Sequence, residues 1–431
     1  MARRYFGTDG IRGIVGQDLT PALVEKIGRA AVLWAAAAGT ADDRSDPGRV
    51  LIGRDTRGSG PGLEAALARG ISSAGWTAVL AGVLPTPAVA LLAEDLAAVV
   101  TASHNPPSYN GVKLFDGKGH KLADDDEEAI EALLDTPASG DAGQIERLDD
   151  APERYVRHIR EGFGSDLSGL RIAVDCANGA YSDIAPAVFE ELGAEVHPIG
   201  IQPDGTNINV DCGATDLYAL QQTVTRLGLD LGVAFDGDGD RMLAVDERGE
   251  ALDGDQILTV LTLALGVDLV AVTVMTNLGF HRLMAERGIR VVTTPVGDRY
   301  LLEALHRDGG LLGGEQSGHI VWLGNHVTGD GLAAALLLCR ALAGRTLSEA
   351  AAEMLRYPQA KQNVPVVHRA LPQSILDEAD RVTEELGGRG RVLVRPSGTE
   401  PLVRVLAEAE TMEEAGKICA SIAALVATEL G

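Results

Sequence analysis

Three stretches of this chain repeat one pattern. Each has a run rich in β-branched and apolar residues, then a loop with Gly or Asn, then a helical periodicity. They are Val50-Leu-Ile-Gly-Arg-Asp-Thr-Arg57, Arg171-Ile-Ala-Val-Asp-Cys-Ala-Asn-Gly179 and Leu269-Val-Ala-Val-Thr-Val-Met-Thr-Asn277. Each can open an α/β unit with a mostly parallel sheet, and their domain-sized spacing suggests three related α/β domains. Strand–loop–helix repetition is also what any α/β protein shows. The length of 431 residues sets an expectation of about three domains.

Connections follow from composition. Residues 135–152 are rich in Asp, Gly, Ala and Pro, as a surface connection would be. Breaks fall again near Asp253-Gly-Asp255, before a helix from Gln256, and near Arg356-Tyr-Pro358, where proline ends a helical run. The remainder holds β-rich runs at Asn363–Val367 and Arg391–Val394, a strand at Leu402–Ala407 and a helix from Met412. The expected organisation is therefore α/β: domains at 1–152, 153–254 and 255–361, with mixed, mostly parallel sheets, and a small α+β domain at 362–431.

Charge narrows the partners. With Lys plus Arg at 37 and Asp plus Glu at 62, the net charge is −25. Such a surface repels nucleic acid and anionic membranes. An anionic substrate must then be bound by local Arg, Lys, backbone N–H groups or a metal. Cys176, Cys212, Cys339 and Cys419 form no C-x-x-C pair and read as small residues in a reducing compartment. The first residues lack the apolar run of a secretory signal. The most apolar stretch, Leu258–Met275, is broken by Gly266 and Asp268 and reads as a helix followed by a strand rather than a membrane span.

The apolar run Leu96–Val100 reads as a buried strand ending at Thr101. Thr101-Ala-Ser-His-Asn-Pro-Pro-Ser-Tyr-Asn-Gly-Val-Lys113 follows, a composition that favours a tight, rigid loop. Ser103 thus lies just past the C-terminal end of a strand, where α/β sheets place their chemistry. Beside His104 and within reach of Lys113, its hydroxyl is a candidate nucleophile. The same residues would also make a simple turn, with Ser103 and Asn105 bonded to their own backbone.

In Ala234-Phe-Asp-Gly-Asp-Gly-Asp-Arg241, Asp236, Asp238 and Asp240 alternate with glycine. Three carboxylates this close repel one another unless a cation lies between them. Hard oxygen donors favour Mg²⁺ or Ca²⁺. An EF-hand loop would match these three positions and Glu247, but it needs Gly where Arg241 stands and helices where the flanks read as strands. Three carboxylates leave coordination positions open for phosphate oxygens, which points to phosphoryl transfer.

Three further segments carry polar groups in glycine-rich settings. Gly313-Gly-Glu-Gln-Ser-Gly-His319 can project Glu315 and Ser317 towards sugar hydroxyls, or be a plain turn. Val394-Arg-Pro-Ser-Gly-Thr-Glu-Pro401 offers Arg395, Ser397 and Thr399 around Gly398, as an anion nest or a polar β-turn. Tyr5-Phe-Gly-Thr-Asp-Gly-Ile-Arg-Gly13 places Arg12 where it could face a phosphate.

Together these segments resemble the α-D-phosphohexomutase superfamily, and most of all its bacterial branch acting on glucosamine phosphates. The carriers are Phe6-Gly-Thr-Asp-Gly-Ile-Arg12, Ala102-Ser-His-Asn-Pro106, Asp236-Gly-Asp-Gly-Asp-Arg241, Gly314-Glu-Gln-Ser-Gly-His319 and Arg395-Pro-Ser-Gly-Thr-Glu400, in the superfamily's order and from end to end of the chain. Branch-like stretches lie between them, at Pro203-Asp-Gly-Thr-Asn-Ile-Asn209, Pro295-Val-Gly-Asp-Arg-Tyr300 and Thr328-Gly-Asp-Gly331. Thr101, in place of a more usual serine, and Tyr109, in place of an acidic or small residue, depart from the pattern.

The resemblance implies four domains around a central cleft, with Ser103 carried as phosphoserine. It implies that this phosphate goes to the 1-hydroxyl of glucosamine 6-phosphate, that a 1,6-bisphosphate turns over in the cleft, and that glucosamine 1-phosphate is left for cell-wall precursor synthesis. It implies one Mg²⁺ held by Asp236, Asp238, Asp240 and the Ser103 phosphoryl oxygen, with glucose or glucosamine 1,6-bisphosphate as activator. Arg12, His104 and Lys113 would lie beside the phosphoserine. Glu315, Ser317 and Arg241 would contact the sugar phosphate, and Arg395, Ser397, Gly398 and Thr399 would hold its distal phosphate. A cytoplasmic monomer or homodimer acting on a small sugar phosphate is expected. A phosphomannomutase or phosphoglucomutase, a metal-dependent sugar-phosphate phosphatase and a non-catalytic sugar-phosphate binder are the competing readings.

Overall fold

The computed structural model describes residues 4–7, 9–39, 47–138, 141–368, 370–397 and 401–431. Four sheets succeed one another along the chain. The first orders its strands Ile11–Ile14, Tyr109–Asp116, Leu96–Val100, Arg49–Arg54, Thr77–Val83 and Ile145–Arg147. Its inner strands pair in parallel, and the Leu96–Val100 and Ile11–Ile14 strands run antiparallel to Tyr109–Asp116. Leu96–Val100 is buried along its whole length, as a continuous Val/Ala run covered on both faces must be.

The second sheet orders Ala251–Leu252, Met242–Asp246, Leu231–Phe235, Arg171–Asp175 and Glu195–Ile199. Leu231–Phe235 runs parallel to Arg171–Asp175 and forms an antiparallel hairpin with Met242–Asp246. The third orders Arg290–Thr294, Leu269–Thr273, Leu312–Gly314 and Ile320–Trp322, with a parallel pair at its centre. The fourth is the antiparallel sheet Gln359–Pro365, Leu402–Glu408, Arg391–Pro396. The first three sheets are mixed, as expected, and the antiparallel C-terminal one carries helices Gln373–Glu385 and Met412–Leu430.

Local chemistry explains the borders. Leu258–Met275 does divide into a helix, Gly254–Leu265, and a strand, Leu269–Thr273. A reciprocal capping box starts the helix: Asp253 Oδ1 accepts from Gln256 N–H at 3.2 Å, and Gln256 Oε1 accepts from Asp253 N–H at 3.3 Å. One expectation fails. The rigid loop predicted over Thr101–Lys113 ends at Ser108, and Tyr109–Asp116 is a strand. Its two neighbours in the sheet impose extended pairing that overrides the turn propensity of Asn110-Gly111.

The chain divides into two compact units. The first is Met1–Val274 with Val292–Ala351, and the second is Met275–Val291 with Ala352–Gly431. In the second, helix Leu278–Glu286 is tied to the C-terminal segment by Asn277, whose side-chain amide exchanges hydrogen bonds of 2.9 and 3.0 Å with the Tyr357 backbone. Val364, Ile375, Val403, Ile422 and Val426 are among the residues of that unit's apolar core. None of the helices among the described residues is long and apolar enough to cross a membrane. The four cysteines are free, three of them buried.

Candidate active site

Strands Arg49–Arg54 and Leu96–Val100 are parallel neighbours, with Arg54 in register with Val100. Asp55 and Arg57 therefore leave the sheet at the same end as Thr101 and Ser103. Arg57 is fully buried and spends all five N–H donors locally. Its Nε meets Asp55 Oδ2 at 2.9 Å. Its Nη1 donates to the carbonyls of Pro106 at 2.5 Å and Tyr109 at 2.9 Å, and its Nη2 to those of Ser103 and Asn105, both at 2.8 Å. Asn209 Nδ2 adds a bond of 2.9 Å to the Ser103 carbonyl.

This cradle holds Ser103 at φ 50°, a left-handed conformation uncommon for a residue with a Cβ. Thr101 completes it: its hydroxyl donates to Asp55 Oδ2 at 2.6 Å and accepts from Ser103 N–H at 2.8 Å. The departure at Thr101 thus keeps the hydroxyl the loop uses. Tyr109 enters through its backbone carbonyl.

Ser103 Oγ donates to Asp236 Oδ2 at 2.6 Å and lies 3.3 Å from His104 Nδ1. Asp236 begins the hairpin loop between Phe235 and Met242. The loop carbonyls are engaged in turn: Asp236 O accepts from Gly239 N–H, Gly237 O from Ala180 N–H, Asp238 O from Thr86 N–H and Gly239 O from Gly331 N–H, at 2.9–3.1 Å. A fixed backbone thus aims three buried carboxylates at one point, their ligand oxygens within 4.8 Å of one another.

Oδ1 of Asp238 and of Asp240 is buried with no hydrogen-bond partner among the described residues. Burial and the neighbouring Asp240 and Asp238 push the Asp236 carboxyl well above its ordinary range. Orphaned hard oxygens and a carboxylate disfavoured by its own neighbours are what a divalent cation relieves, so the donor set fits Mg²⁺.

A shell of cations faces this loop. Lys113, buried on the strand after the serine loop, places Nζ 2.8 Å from Asp238 Oδ2, 3.1 Å from Asp240 Oδ2 and 3.2 Å from Asp9 Oδ2. Burial would lower its pKa, but Asp238, Asp240 and Asp9 hold the ammonium well above its usual range. Asp9 also pairs with Arg12 and Lys121. Burial favours its neutral form, and Lys113, Lys121 and Arg12 overcome that, holding it well below the carboxylate range. Lys121 Nζ continues to Asp298 Oδ2 at 2.5 Å. Arg241 donates its N–H to Asp236 Oδ1 at 3.1 Å and keeps Nε 3.7 Å from Asp240 Oδ1. Burial, then Arg241 and Arg12, pushes the His104 imidazole down to about 4. A chain of net charge −25 has therefore gathered Arg12, Lys113, Lys121 and Arg241 around one loop.

The Glu315 segment turns between the short strands Leu312–Gly314 and Ile320–Trp322. Glu315 Oε1 accepts from Gly297 N–H at 3.1 Å and Oε2 from Ser317 Oγ at 3.0 Å. Its Gly318 carbonyl accepts from Met242 N–H at 3.0 Å, which joins this turn to the strand leaving the aspartate loop. Both side chains are half-buried, so they stay reachable. In the second unit, Arg395 lies in strand Arg391–Pro396 opposite Arg404, and Ser397 N–H bonds Leu402 O at 2.8 Å. Gly398 and Thr399 lie outside the described residues.

Sequence reasoning missed Arg57, Asp55, Asn209, Asp9, Lys121 and Asp298 as members of this arrangement. Asp9, Asn209 and Asp298 stand inside the motif-like stretches quoted above, where an unassigned polar residue was the available signal. Lys121 carried none.

Known proteins of one family resemble this chain along its whole length. Models of the phosphoglucomutase/phosphomannomutase family match in order: α/β/α domain I over residues 3–140, domain II over 153–249, domain III over 253–357 and the C-terminal domain over 358–425. Eight curated relatives of 45–48% identity are named phosphoglucosamine mutase. That of Moorella thermoacetica is 46% identical over 441 residues, 97% of this chain and 98% of its own. Among solved structures, a phosphoglucomutase/phosphomannomutase family protein from Burkholderia thailandensis aligns with TM-score 0.83 at 24% identity, covering 99% and 98% of the two chains. The Aspergillus fumigatus N-acetylphosphoglucosamine mutase, solved with GlcNAc-6P and magnesium, aligns with TM-score 0.69 at 19% identity, covering 99% and 96%. The chain therefore belongs to the phosphoglucomutase/phosphomannomutase family.

Proposed function

We propose that this chain is a phosphoglucosamine mutase, a phosphotransferase that interconverts glucosamine 6-phosphate and glucosamine 1-phosphate with Ser103 as the phosphoryl carrier. The observation that carries this reading is the Ser103 hydroxyl, 2.6 Å from Asp236 inside a loop of three buried carboxylates.

In the forward direction the Ser103 Oγ–P bond breaks as the sugar O1–P bond forms. The 1-hydroxyl proton leaves to a neighbouring base, and Oγ takes a proton. The resulting 1,6-bisphosphate turns within the site. Oγ then attacks its 6-phosphate: the O6–P bond breaks, the Oγ–P bond re-forms and O6 takes a proton. His104 Nδ1, 3.3 Å from Oγ, is placed to hold the proton that Oγ exchanges. Lys113 and Arg12 supply fixed positive charge beside the transferring group. A Mg²⁺ held by Asp236, Asp238 and Asp240 would neutralise charge on the phosphoryl oxygens.

Glu315 and Ser317 would take sugar hydroxyls, with Arg241 between them and the aspartates. Arg395, Ser397, Gly398 and Thr399 would hold the phosphate that is not reacting. Two phosphate sites are what separate a mutase from a hydrolase, because one sugar phosphate must be held in two orientations while water is kept from the phosphoserine. We place the enzyme in the cytoplasm, a reducing compartment in which its four free thiols would stay reduced.

The test compares kcat/KM for glucosamine, glucose and mannose 6-phosphates with Mg²⁺ and a trace of glucose 1,6-bisphosphate, while inorganic phosphate is followed in parallel. The expected result is a clear preference for glucosamine 6-phosphate with no phosphate release matching turnover. A preference for mannose or glucose phosphate would move the chain to another branch, and stoichiometric phosphate release would make it a phosphatase.

A further inference from the structure

We propose that Asp330, acting with Tyr181 and Tyr155, is a positioning residue for the aspartate loop, and that this buried network sets how tightly the loop holds its metal. The inference rests on reading that loop as a metal site.

The network begins at a helix start. Asp330 caps helix Gly331–Leu342, its Oδ1 accepting from Ala333 N–H at 3.0 Å. The cap fixes the first turn, whose leading N–H groups have no partner within the helix. One of these, on Gly331, donates to the Gly239 carbonyl at 3.0 Å. Gly239 is the residue between Asp238 and Asp240. A Cβ on Gly331 would stand 2.6 Å from the Arg241 carbonyl, so the helix start touches the loop at two points.

The same loop is held from its other side. Gly239 has φ 78°, and a Cβ there would meet the Tyr181 ring at 2.4 Å. The Tyr181 ring thus packs against the turn between Asp238 and Asp240. Its hydroxyl returns to Asp330 Oδ1 at 2.8 Å. The contacts close a ring: Asp330 to Gly331, Gly331 to Gly239, Gly239 to Tyr181, and Tyr181 to Asp330. Tyr155 braces it, with its hydroxyl 2.7 Å from both Asp330 Oδ2 and the Tyr181 hydroxyl. His326 Nε2 lies 2.7 Å from Asp330 Oδ2. Every side chain in the ring is buried.

None of these side chains is among the carboxylates that would bind the ion. Their leverage is geometric, since moving Gly239 moves Asp238 and Asp240 relative to each other. Groups that orient metal ligands typically change affinity by 10- to 100-fold when removed.

The experiment measures Mn²⁺ binding to full-length protein by the electron paramagnetic resonance of the free ion, in parallel with the thermal midpoint. Asp330→Asn keeps the cap acceptor but loses the carboxylate, and should raise the Mn²⁺ Kd by about 10-fold or more. Tyr181→Phe keeps the ring against Gly239 and loses only the hydroxyl, so its rise should be smaller. In both, excess metal should restore kcat, with the KM for glucosamine 6-phosphate unmoved. Thr262→Val, which removes a buried hydroxyl bonded within helix Gly254–Leu265, should lower the midpoint and leave Kd unchanged. If Asp330→Asn does not fold, Tyr181→Phe and Tyr155→Phe decide. Variants that lose stability but keep the wild-type Kd would overturn the inference alone. A wild-type protein that binds no Mn²⁺ would overturn the metal reading with it.

Discussion

Arg57 shows what a single side chain can impose. A guanidinium presents five donors in a rigid plane, and four of those here face carbonyls, three in the Ser103 loop and one on Tyr109 where the next strand begins. Lysine offers three donors on a flexible stem. Arg57→Lys should leave buried carbonyls unpaired, at about 1–3 kcal/mol each, and release Ser103 from its left-handed φ. We expect a lower denaturation midpoint together with a fall in kcat of at least tenfold. A stable, fully active Arg57→Lys protein would show that the loop holds its shape without the cradle. The place of Ser103, in a loop just past an apolar strand, was legible, although the same residues could have made a simple turn. Arg57 was not, because the sequence does not show that its partners lie 46 to 52 residues away.

Among elements, helices and strands with internal signals were readable. The break at Asp253-Gly-Asp255 marked the start of a helix, and the alternating Asp/Gly run between two strands marked a hairpin loop. The strand at Tyr109–Asp116 was hidden, because its extended form comes from two flanking strands rather than from Asn110-Gly111. Helix Leu278–Glu286 carries a property no pattern announces. Burial, with Arg391 nearby, pushes its His281 imidazole down to about 4. Above about pH 6.5, the ordinary histidine value, both folded and unfolded forms are neutral. Below about 4 both are protonated. Between these limits the unfolded chain binds more protons, so stability falls as pH drops through this window. His158, also lowered by burial, adds in the same sense. Chemical denaturation at pH 7 and pH 5 should show this loss, and His281→Leu should flatten it. An unchanged slope in that variant would assign the acid sensitivity elsewhere.

For the whole molecule, the repeated strand–loop–helix openings announced three α/β domains, and the residual length announced a smaller fourth. They could not announce that helix Leu278–Glu286 folds with the C-terminal unit, because that depends on Asn277 meeting Tyr357 across 80 residues. Net charge was legible but its distribution was not: the cations that make an anion site lie on segments far apart in sequence. Because Asp238 and Asp240 each keep a buried oxygen with no hydrogen-bond partner among the described residues, metal should stabilise the fold. At 100 times its Kd, Mg²⁺ would contribute about 2.7 kcal/mol. The thermal midpoint should therefore rise with Mg²⁺ and fall in EDTA, and the response should vanish in Asp238→Asn with Asp240→Asn. A midpoint indifferent to Mg²⁺ would argue that Arg12, Lys113, Lys121 and Arg241 are enough to hold the loop without a metal.

The central claim is that Ser103 carries the phosphoryl group between the two positions of the sugar. Intact-mass analysis of wild-type and Ser103→Ala protein, before and after incubation with glucosamine 6-phosphate and glucose 1,6-bisphosphate, tests it directly. The account predicts one phosphoryl group on the wild-type chain, absent from Ser103→Ala together with mutase turnover. A Ser103→Ala protein that still converts glucosamine 6-phosphate at the wild-type rate would contradict it.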